Sequence, residues 1–142
     1  MKILAVDYGD SRTGLAYCDK SESIAAPLGT LFEKSPEKLF QSIVAKIREQ
    51  GSELVVIGHP VNMDGSCGAR ARLCEELAER IQCESGVPAV LWDERVTTVQ
   101  AIGILNKTNV RGKKRREVVD TVAAVLILES YLDYRRKKGI NK

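Results

Sequence analysis

The stretch KILAVDYGDSRTGLAYC, residues 2–18, decides the fold of this chain. The run Lys2–Asp7 is apolar through its middle and predicts a buried strand that stops at a carboxylate. The segment Gly9–Gly14 predicts a turn, and Leu15–Cys18 predicts a strand that returns beside the first. The chain therefore opens with an antiparallel pair of strands, and an acidic residue stands next to the turn between them.

Outward from this pair, apolar strands alternate with amphipathic helices. Strands are predicted over Ile24–Phe32, with a bend at Pro27 and Gly29, and over Glu53–Gly58 and Val87–Trp92; helices are predicted over 35–51, 68–86 (with Leu73, Leu77 and Ile81 on the buried face), 97–105 and Glu117–Tyr134. This order predicts an α/β fold with a mixed five-stranded sheet and helices packed on both of its faces. Because no repeat or linker interrupts the pattern, we expect a single domain over residues 1–142.

Composition narrows the class of protein. Hydrophobic residues make up 44% and charged residues 29%, which is typical of a soluble globular domain. Neither a signal peptide nor a stretch of about 18 apolar residues is visible, so we expect a cytoplasmic protein with no membrane partner. The four cysteines, Cys18, Cys67, Cys74 and Cys83, show no C-x-x-C spacing and are predicted to be reduced thiols, mostly packed, and not zinc ligands.

Positive charge is concentrated in the last quarter of the chain. Residues 105–142 hold eleven Lys and Arg against four Asp and Glu, and five of these cations lie close together at Arg111, Lys113, Lys114, Arg115 and Arg116. We expect this segment to be a mobile basic loop that contacts the sugar-phosphate backbone of a nucleic acid. Aromatic residues are few and are not interleaved with these cations, so the sequence does not predict a platform for stacking bases.

Acidic residues stand at the ends of predicted strands. Asp7 closes the first strand, Asp93 and Glu94 follow the last, and Asp120 lies near the start of the final helix. Carboxyl ends of parallel strands line the crevice where ligands bind, so we expect these acids to converge there. Clustered carboxylates favour a divalent cation, Mg²⁺ or Mn²⁺, and a pair of such ions would hydrolyse a phosphodiester. Strand alternation allows only one of Asp93 and Glu94 to face the crevice.

Four stretches, taken together, resemble one known family. These are Asp7-Tyr8-Gly9 with RTGLA (12–16), GHP with NMDG (58–65), DERVTT (93–98), and KKRR with DTVAA (113–124). They are similar to motifs of the YqgF (RuvX-like) family, which implies an RNase H-like nuclease domain that uses divalent metal. The resemblance also implies a role at the 5′ end of pre-16S ribosomal RNA, with Holliday junction resolution as the older suggestion. It implies Asp7, Glu94 and Asp120 as catalytic metal ligands, with Asp93 as the alternative to Glu94.

Gly9 is expected to let the backbone turn beside the metal site and to admit a phosphate. Three further residues around this site have two readings each. Asn62 would contact the substrate backbone or form a plain tight turn, and Arg95 would hold a phosphate or a structural ion pair. His59, where the family more often has an apolar residue, is a proton shuttle or an accommodated loop histidine. We expect RNA in preference to DNA as partner, and a monomer or weak dimer; the alternatives are a DNA junction resolvase and a non-catalytic RNA-binding assembly factor.

Overall fold

The computed structural model describes residues 1–9, 11–59, 68–93 and 112–138, with the side chains of residues 93 and 112–121 left aside. Its elements are β1 (Ile3–Asp7), β2 (Arg12–Cys18), β3 (Ala26–Phe32), α1 (Pro36–Gln50), β4 (Leu54–His59), α2 (Ala69–Ser85), β5 (Ala89–Asp93) and α3 (Gly112–Lys137). The helix predicted over 97–105 lies outside the described residues. None of the described helices combines the length and the hydropathy that spanning a lipid bilayer requires.

The five strands form one sheet in the order β3-β2-β1-β4-β5. The pairs β1–β2 and β2–β3 are antiparallel, and the pairs β1–β4 and β4–β5 are parallel, which confirms the predicted mixed sheet. The register of β3 shifts where Leu15 pairs with Gly29 and Ala16 pairs with Pro27. This bulge is the bend expected from Pro27 and Gly29, because a proline and a glycine are tolerated where the ladder is interrupted.

Helices cover both faces of the sheet, as predicted. On one face, α1 and α2 pack against β1 and β4 through residues that are fully or nearly buried: Leu4, Val6, Val55, Ile57, Phe40, Ile43, Ile47, Cys74, Leu77 and Ile81. On the other face, α3 packs through Ala124, Ile127, Leu128 and Leu132 on Ile3, Ala5, Ala16 and Val56. Since neighbouring residues of a strand point to opposite faces, each strand supplies both layers of the core.

Local signals set the ends of the first helix. The Ser35 hydroxyl accepts a hydrogen bond from the amide of Lys38 at 3.4 Å, and Pro36 follows at the first helical position. At the other end, Gly51 adopts the left-handed conformation with φ of 66°, and its amide donates a hydrogen bond to the carbonyl oxygen of Arg48 in the last turn. The helix predicted from Ser35 to Gly51 is therefore confirmed.

Two predictions about helices are wrong. On α2, Leu73 is 42% exposed, and the buried stripe runs through Ala71, Cys74, Leu77, Ala78 and Ile81. A strict four-residue spacing drifts around a helix of 3.6 residues per turn, so Leu73 turns away from the stripe. On α3, the helix begins at Gly112 and not at Glu117, so Lys113–Arg116 are helical and not part of a loop. Lysine and arginine are good helix formers, and no proline stops the helix there.

The end of the sheet where β1 begins is closed by a buried ion pair. Glu22 is 3% exposed and adopts φ of 55°, a backbone conformation that residues other than glycine rarely adopt. Its carboxylate accepts hydrogen bonds from Arg135 at 2.7 and 3.2 Å and from the Met1 ammonium at 3.1 Å. The end of α3 is therefore fixed beside the beginning of β1.

Candidate active site

The carboxyl ends of the three parallel strands lie at the same edge of the sheet. Val6 pairs with Ile57, which places Asp7 level with Gly58, and Gly58 pairs with Trp92. β4 lies between β1 and β5, so Asp7 and the end of β5 are two strand spacings apart, about 10 Å. The two strands that carry the predicted acids are thus near each other without being adjacent.

Asp7 belongs to the face of the sheet that α3 covers. In β1, Ile3 and Ala5 pack in the layer under α3, and Asp7 follows them by strand alternation. The carboxylate stands half-buried at the end of this strand. The structure thereby brings the first predicted acid to the side of the sheet from which α3 also approaches.

The turn after Asp7 is built closely around Gly9. Its amide donates a hydrogen bond to the hydroxyl of Thr13 at 3.3 Å, and Thr13 is fully buried. A Cβ atom at position 9 would lie 1.9 Å from the carbonyl oxygen of Arg12, a distance that no real contact allows. Only glycine fits here, because the backbone of β2 crosses directly beside it.

Arg70 is a functional candidate that the sequence reasoning missed. It lies in the first turn of α2, donates a hydrogen bond to the carbonyl oxygen of Tyr8, and holds its guanidinium 5.9 Å from the centre of the Tyr8 ring. The contact joins residues 62 positions apart, so no local pattern could indicate it. It places a cation at the backbone that immediately follows Asp7.

His59 faces the opposite side of the sheet from Asp7. It follows Val55 and Ile57, which belong to the layer under α1 and α2, and its Nε2 lies 3.2 Å from Glu75 Oε2 on α2. This position favours the reading of an accommodated histidine with a carboxylate partner over that of a proton shuttle beside Asp7.

The remaining predicted site residues are only partly covered by the structure. Asp93 is the last residue of β5, and Asp120 lies more than two turns into α3, farther along the helix than the sequence suggested. Glu94, Asn62, Arg95 and Arg111 lie outside the described residues. Within the described part of the chain, no three His, Cys, Asp or Glu side chains form a group that could hold a metal ion.

The three described cysteines take no part in this edge of the sheet, and Cys67 lies outside the described residues. Cys18 and Cys74 are buried in the two core layers, and Cys83 is exposed on α2. Burial raises the pKa of the Cys18 thiol above its ordinary value, which keeps it protonated. The described thiols therefore behave as the packed or solvated groups that the sequence predicted.

Comparison with known proteins gives consistent matches. A family described as "RuvX: Holliday junction resolvase" matches residues 1–134. A protein of Syntrophus aciditrophicus named "Putative pre-16S rRNA nuclease" is 41% identical over 94% of this chain and 89% of its own, and a namesake from Halothermothrix orenii is 39% identical over 96% and 98%. Thermus thermophilus RuvC, solved with a Holliday junction substrate, superposes with a TM-score of 0.60 at 15% identity, covering 99% of this chain and 97% of its own. That structure shares the fold.

Proposed function

We propose that this chain, which belongs to the RuvX family, hydrolyses phosphodiester bonds at the 5′ end of a 16S ribosomal RNA precursor with the help of divalent cations. Membership of the family confirms the nuclease class and the RNase H-like fold predicted from the sequence. The observation that carries the proposal is the position of Asp7, half-buried at the carboxyl edge of the sheet on the face that α3 covers.

The groups on this face suit a hard cation. Asp7 offers carboxylate oxygens, which Mg²⁺ and Mn²⁺ prefer, whereas Cys18 lies at the opposite end of this face and His59 lies on the opposite face of the sheet. We assign the metal to Asp7, Glu94 and Asp120. When bound, divalent cations would activate a water and neutralise charge on the leaving oxygen of the phosphodiester. The chain's own part is to fix its carboxylates at this edge and to hold the substrate strand against them.

The geometry of α3 supports Asp120 as a partner of Asp7. Arg135 lies beside the Met1 end of β1 through Glu22. From Arg135 back to Asp120 the helix rises about 22 Å, and from Met1 to Asp7 the strand rises about 20 Å. The two acids therefore stand at about the same level. Ala124 and Ile127 are buried against the sheet, and they follow Asp120 by four and seven residues, a helical spacing that supports Asp120 as a partner of Asp7.

The alternation of β5 favours Glu94 over Asp93 as the third acid. Val90 and Trp92 pack in the layer under α3, where Asp7 also lies, whereas Leu91 packs in the opposite layer. Asp93 follows Leu91 by two residues and pairs with His59 of β4. Because residues two apart in a strand share a face, this alternation groups position 94 with Trp92 and Asp7. It therefore supports Glu94 as the third ligand.

The substrate would approach over the start of α3. Lys113–Arg116 precede Asp120 by four to seven residues, so this basic turn extends about 6–10 Å beyond the level of the acids. Such a position suits contact with the phosphates that flank the cleaved bond. With a ribosomal RNA precursor as substrate, we place the activity in the cytoplasm.

The decisive experiment compares wild type with Asp7→Asn on precursor ribosomal RNA, with and without Mg²⁺. We expect cleavage that requires the metal and falls at least about 100-fold in the variant, since even removal of groups that support metal ligands costs 10–100-fold. Asp133→Asn, an exposed acid at the far end of α3, serves as the control and should cleave normally. Equal binding without cleavage for wild type and Asp7→Asn would instead indicate a non-catalytic RNA-binding factor.

Two further arms divide the remaining alternatives. Glu94→Gln should abolish cleavage and Asp93→Asn should retain it; the reverse result would make Asp93 the ligand. Offering a four-way DNA junction beside the RNA tests the activity after which the family is described. Symmetrical cutting of the junction, with the RNA left intact, would overturn the RNA assignment and keep the nuclease.

A further inference from the structure

At the same edge of the sheet as Asp7, an exposed aromatic residue stands beside two cations. Phe32, the last residue of β3, is 58% exposed. It pairs across the strands with Arg12, the first residue of β2. Lys34 follows two residues later and is exposed. With Ser11 and Glu33, these residues line an open groove of about 490 Å³.

This groove lies on the face of the sheet that carries Asp7. In β2, Ala16 and Cys18 pack under α3, and alternation assigns Arg12 to their side. Phe32 is level with Arg12, while its neighbour Leu31 packs in the opposite layer. Phe32 therefore lies on the same face of the sheet as Asp7. It is two strands away across the sheet and two residues farther along the strand direction, so the two residues are about 12 Å apart.

The balance of charge in this groove favours an anionic ligand. Among the described residues that line the groove, Glu33 is the only acid, and its Oε1 already accepts a hydrogen bond from the amide of Ser35 at 3.1 Å. Lys34 forms no ion pair with any other residue that the structure describes. An exposed ring beside a guanidinium and an ammonium matches a nucleic-acid strand, whose bases stack on aromatic faces and whose phosphates attract cations.

We propose that Phe32, Arg12 and Lys34 form a binding site for an unpaired stretch of the substrate, in which a base stacks on Phe32 a few nucleotides from the cleaved bond. The site rests on the proposed function, because it supplies the strand that reaches Asp7. It makes the enzyme prefer nucleic acid with a single-stranded segment next to a duplex. Bases stacked at about 3.4 Å intervals would span the 12 Å to the metal site with three or four nucleotides.

Binding measured without divalent metal separates this site from catalysis. The probe is a fluorescent RNA duplex with a single-stranded overhang that carries 2-aminopurine, with a DNA of the same sequence and a blunt RNA duplex beside it. For Phe32→Leu we expect at least about fivefold weaker binding of the overhang, the lower limit for losing one stacked base, and little change for the blunt duplex. Phe32→Trp should restore the affinity and the quenching of 2-aminopurine.

Ile24→Ala is the matched control, because Ile24 is a 72% exposed apolar residue at the opposite edge of the sheet. Unaltered binding and quenching in Phe32→Leu, or equal losses in Ile24→Ala, would overturn the site. A wild type that binds neither probe would overturn it as well. Dependence of overhang binding on Phe32 in a protein that cleaves nothing would leave this site standing and remove the nuclease proposal.

Discussion

At the scale of the residue, Gly9 shows how little room the candidate site leaves. The contact between a hypothetical Cβ and the Arg12 carbonyl involves backbone on both sides, so no side-chain rotation can relieve it. Two hydrogen bonds hold the same turn: Arg70 donates to the carbonyl oxygen of Tyr8, and the amide of Gly9 donates to the hydroxyl of Thr13. The position of the Asp7 carboxylate therefore depends on a turn that only glycine can form.

We expect Gly9→Ala to lower the free energy of unfolding by about 1–3 kcal/mol and to reduce cleavage strongly, because the displaced turn moves Asp7. Gly86→Ala is a suitable control: Gly86 has a left-handed backbone, with φ of 72°, which alanine would strain, but it lies at the end of α2. Both variants should lose thermal stability, and only Gly9→Ala should lose cleavage per folded molecule. A Gly9→Ala protein with normal turnover would show that the turn does not position the acid.

Glu22 is the residue on which pH dependence of stability should centre. Burial by itself would raise the pKa of this carboxyl, but hydrogen bonds from Arg135 and the Met1 ammonium outweigh it and hold the pKa below its ordinary value. A carboxyl whose pKa is lowered by folding contributes stability above its unfolded pKa, near 4.3, and that contribution is lost as the pH falls through its folded pKa.

For Glu22→Gln we expect a loss of about 3 kcal/mol at pH 7, since one partner of a buried pair is removed. The difference from wild type should shrink as urea unfolding is repeated below pH 4. Glu49→Gln, in an exposed pair with Lys46, should change stability by less than about 1 kcal/mol at any pH. A pH-independent difference for Glu22→Gln would mean that packing, and not charge, holds this end of the sheet.

At the scale of the element, α3 joins the two ends of the molecule. Its last turns are fixed by Arg135 on Glu22, and Ser130 accepts a hydrogen bond from the Trp92 indole at 3.0 Å. Tyr131 packs edge-to-face on the same indole at 5.3 Å. These contacts set the helix in one position on the sheet, and they thereby fix the level of every residue earlier in it.

Asp120→Asn should abolish metal-dependent cleavage while leaving the fold intact, and it should weaken Mn²⁺ binding measured by calorimetry. Asp133→Asn removes an equal charge from the same helix, in an exposed pair with Lys137, and should change neither quantity. Undiminished Mn²⁺ binding in Asp120→Asn would remove this residue from the ligand set, whatever happened to cleavage.

At the scale of the whole molecule, the two clusters of cations on α3 lie at opposite ends of the sheet. The helix carries cations in its first turn and again in its last turn, at Arg135, Arg136 and Lys137. Arg135 is buried in its ion pair and Lys137 is paired with Asp133, so the last turn has less free charge to offer a substrate. The first turn lies at the edge where Asp7 stands.

The double variant Lys113→Ala with Lys114→Ala should therefore weaken RNA binding and reduce the slope of log affinity against log salt by about 1.4 for a single strand. Lys137→Ala with Lys138→Ala changes the net charge equally and should leave the slope almost unchanged. Binding titrations between low and moderate salt decide the matter. Equal slopes for the two double variants would indicate diffuse attraction and no defined contact.

The sequence by itself determined the elements and the chemistry. Apolar runs, helical spacing and the caps at Ser35 and Gly51 act within a few residues, so the first helix and most strands were predicted nearly to their ends. The exception is β2, which begins at Arg12 and not at Leu15, so that part of the predicted turn is strand. Where the signal was weak, the prediction was wrong, as at Leu73 and at the start of α3. Acids placed at strand ends and four motif stretches were enough to indicate a nuclease.

Only the tertiary structure decided which distant residues meet. The pairs Arg12–Phe32, Arg70–Tyr8 and Arg135–Glu22 join positions 20, 62 and 113 residues apart, and β4 separates the two strands that carry the predicted acids. Such contacts follow from strand register and from the packing of α3 on the sheet, which are set by the whole core at once. Local periodicity predicts which face of a strand or helix a residue occupies. Which residues from distant parts of the chain lie beside it is decided only when the sheet has formed.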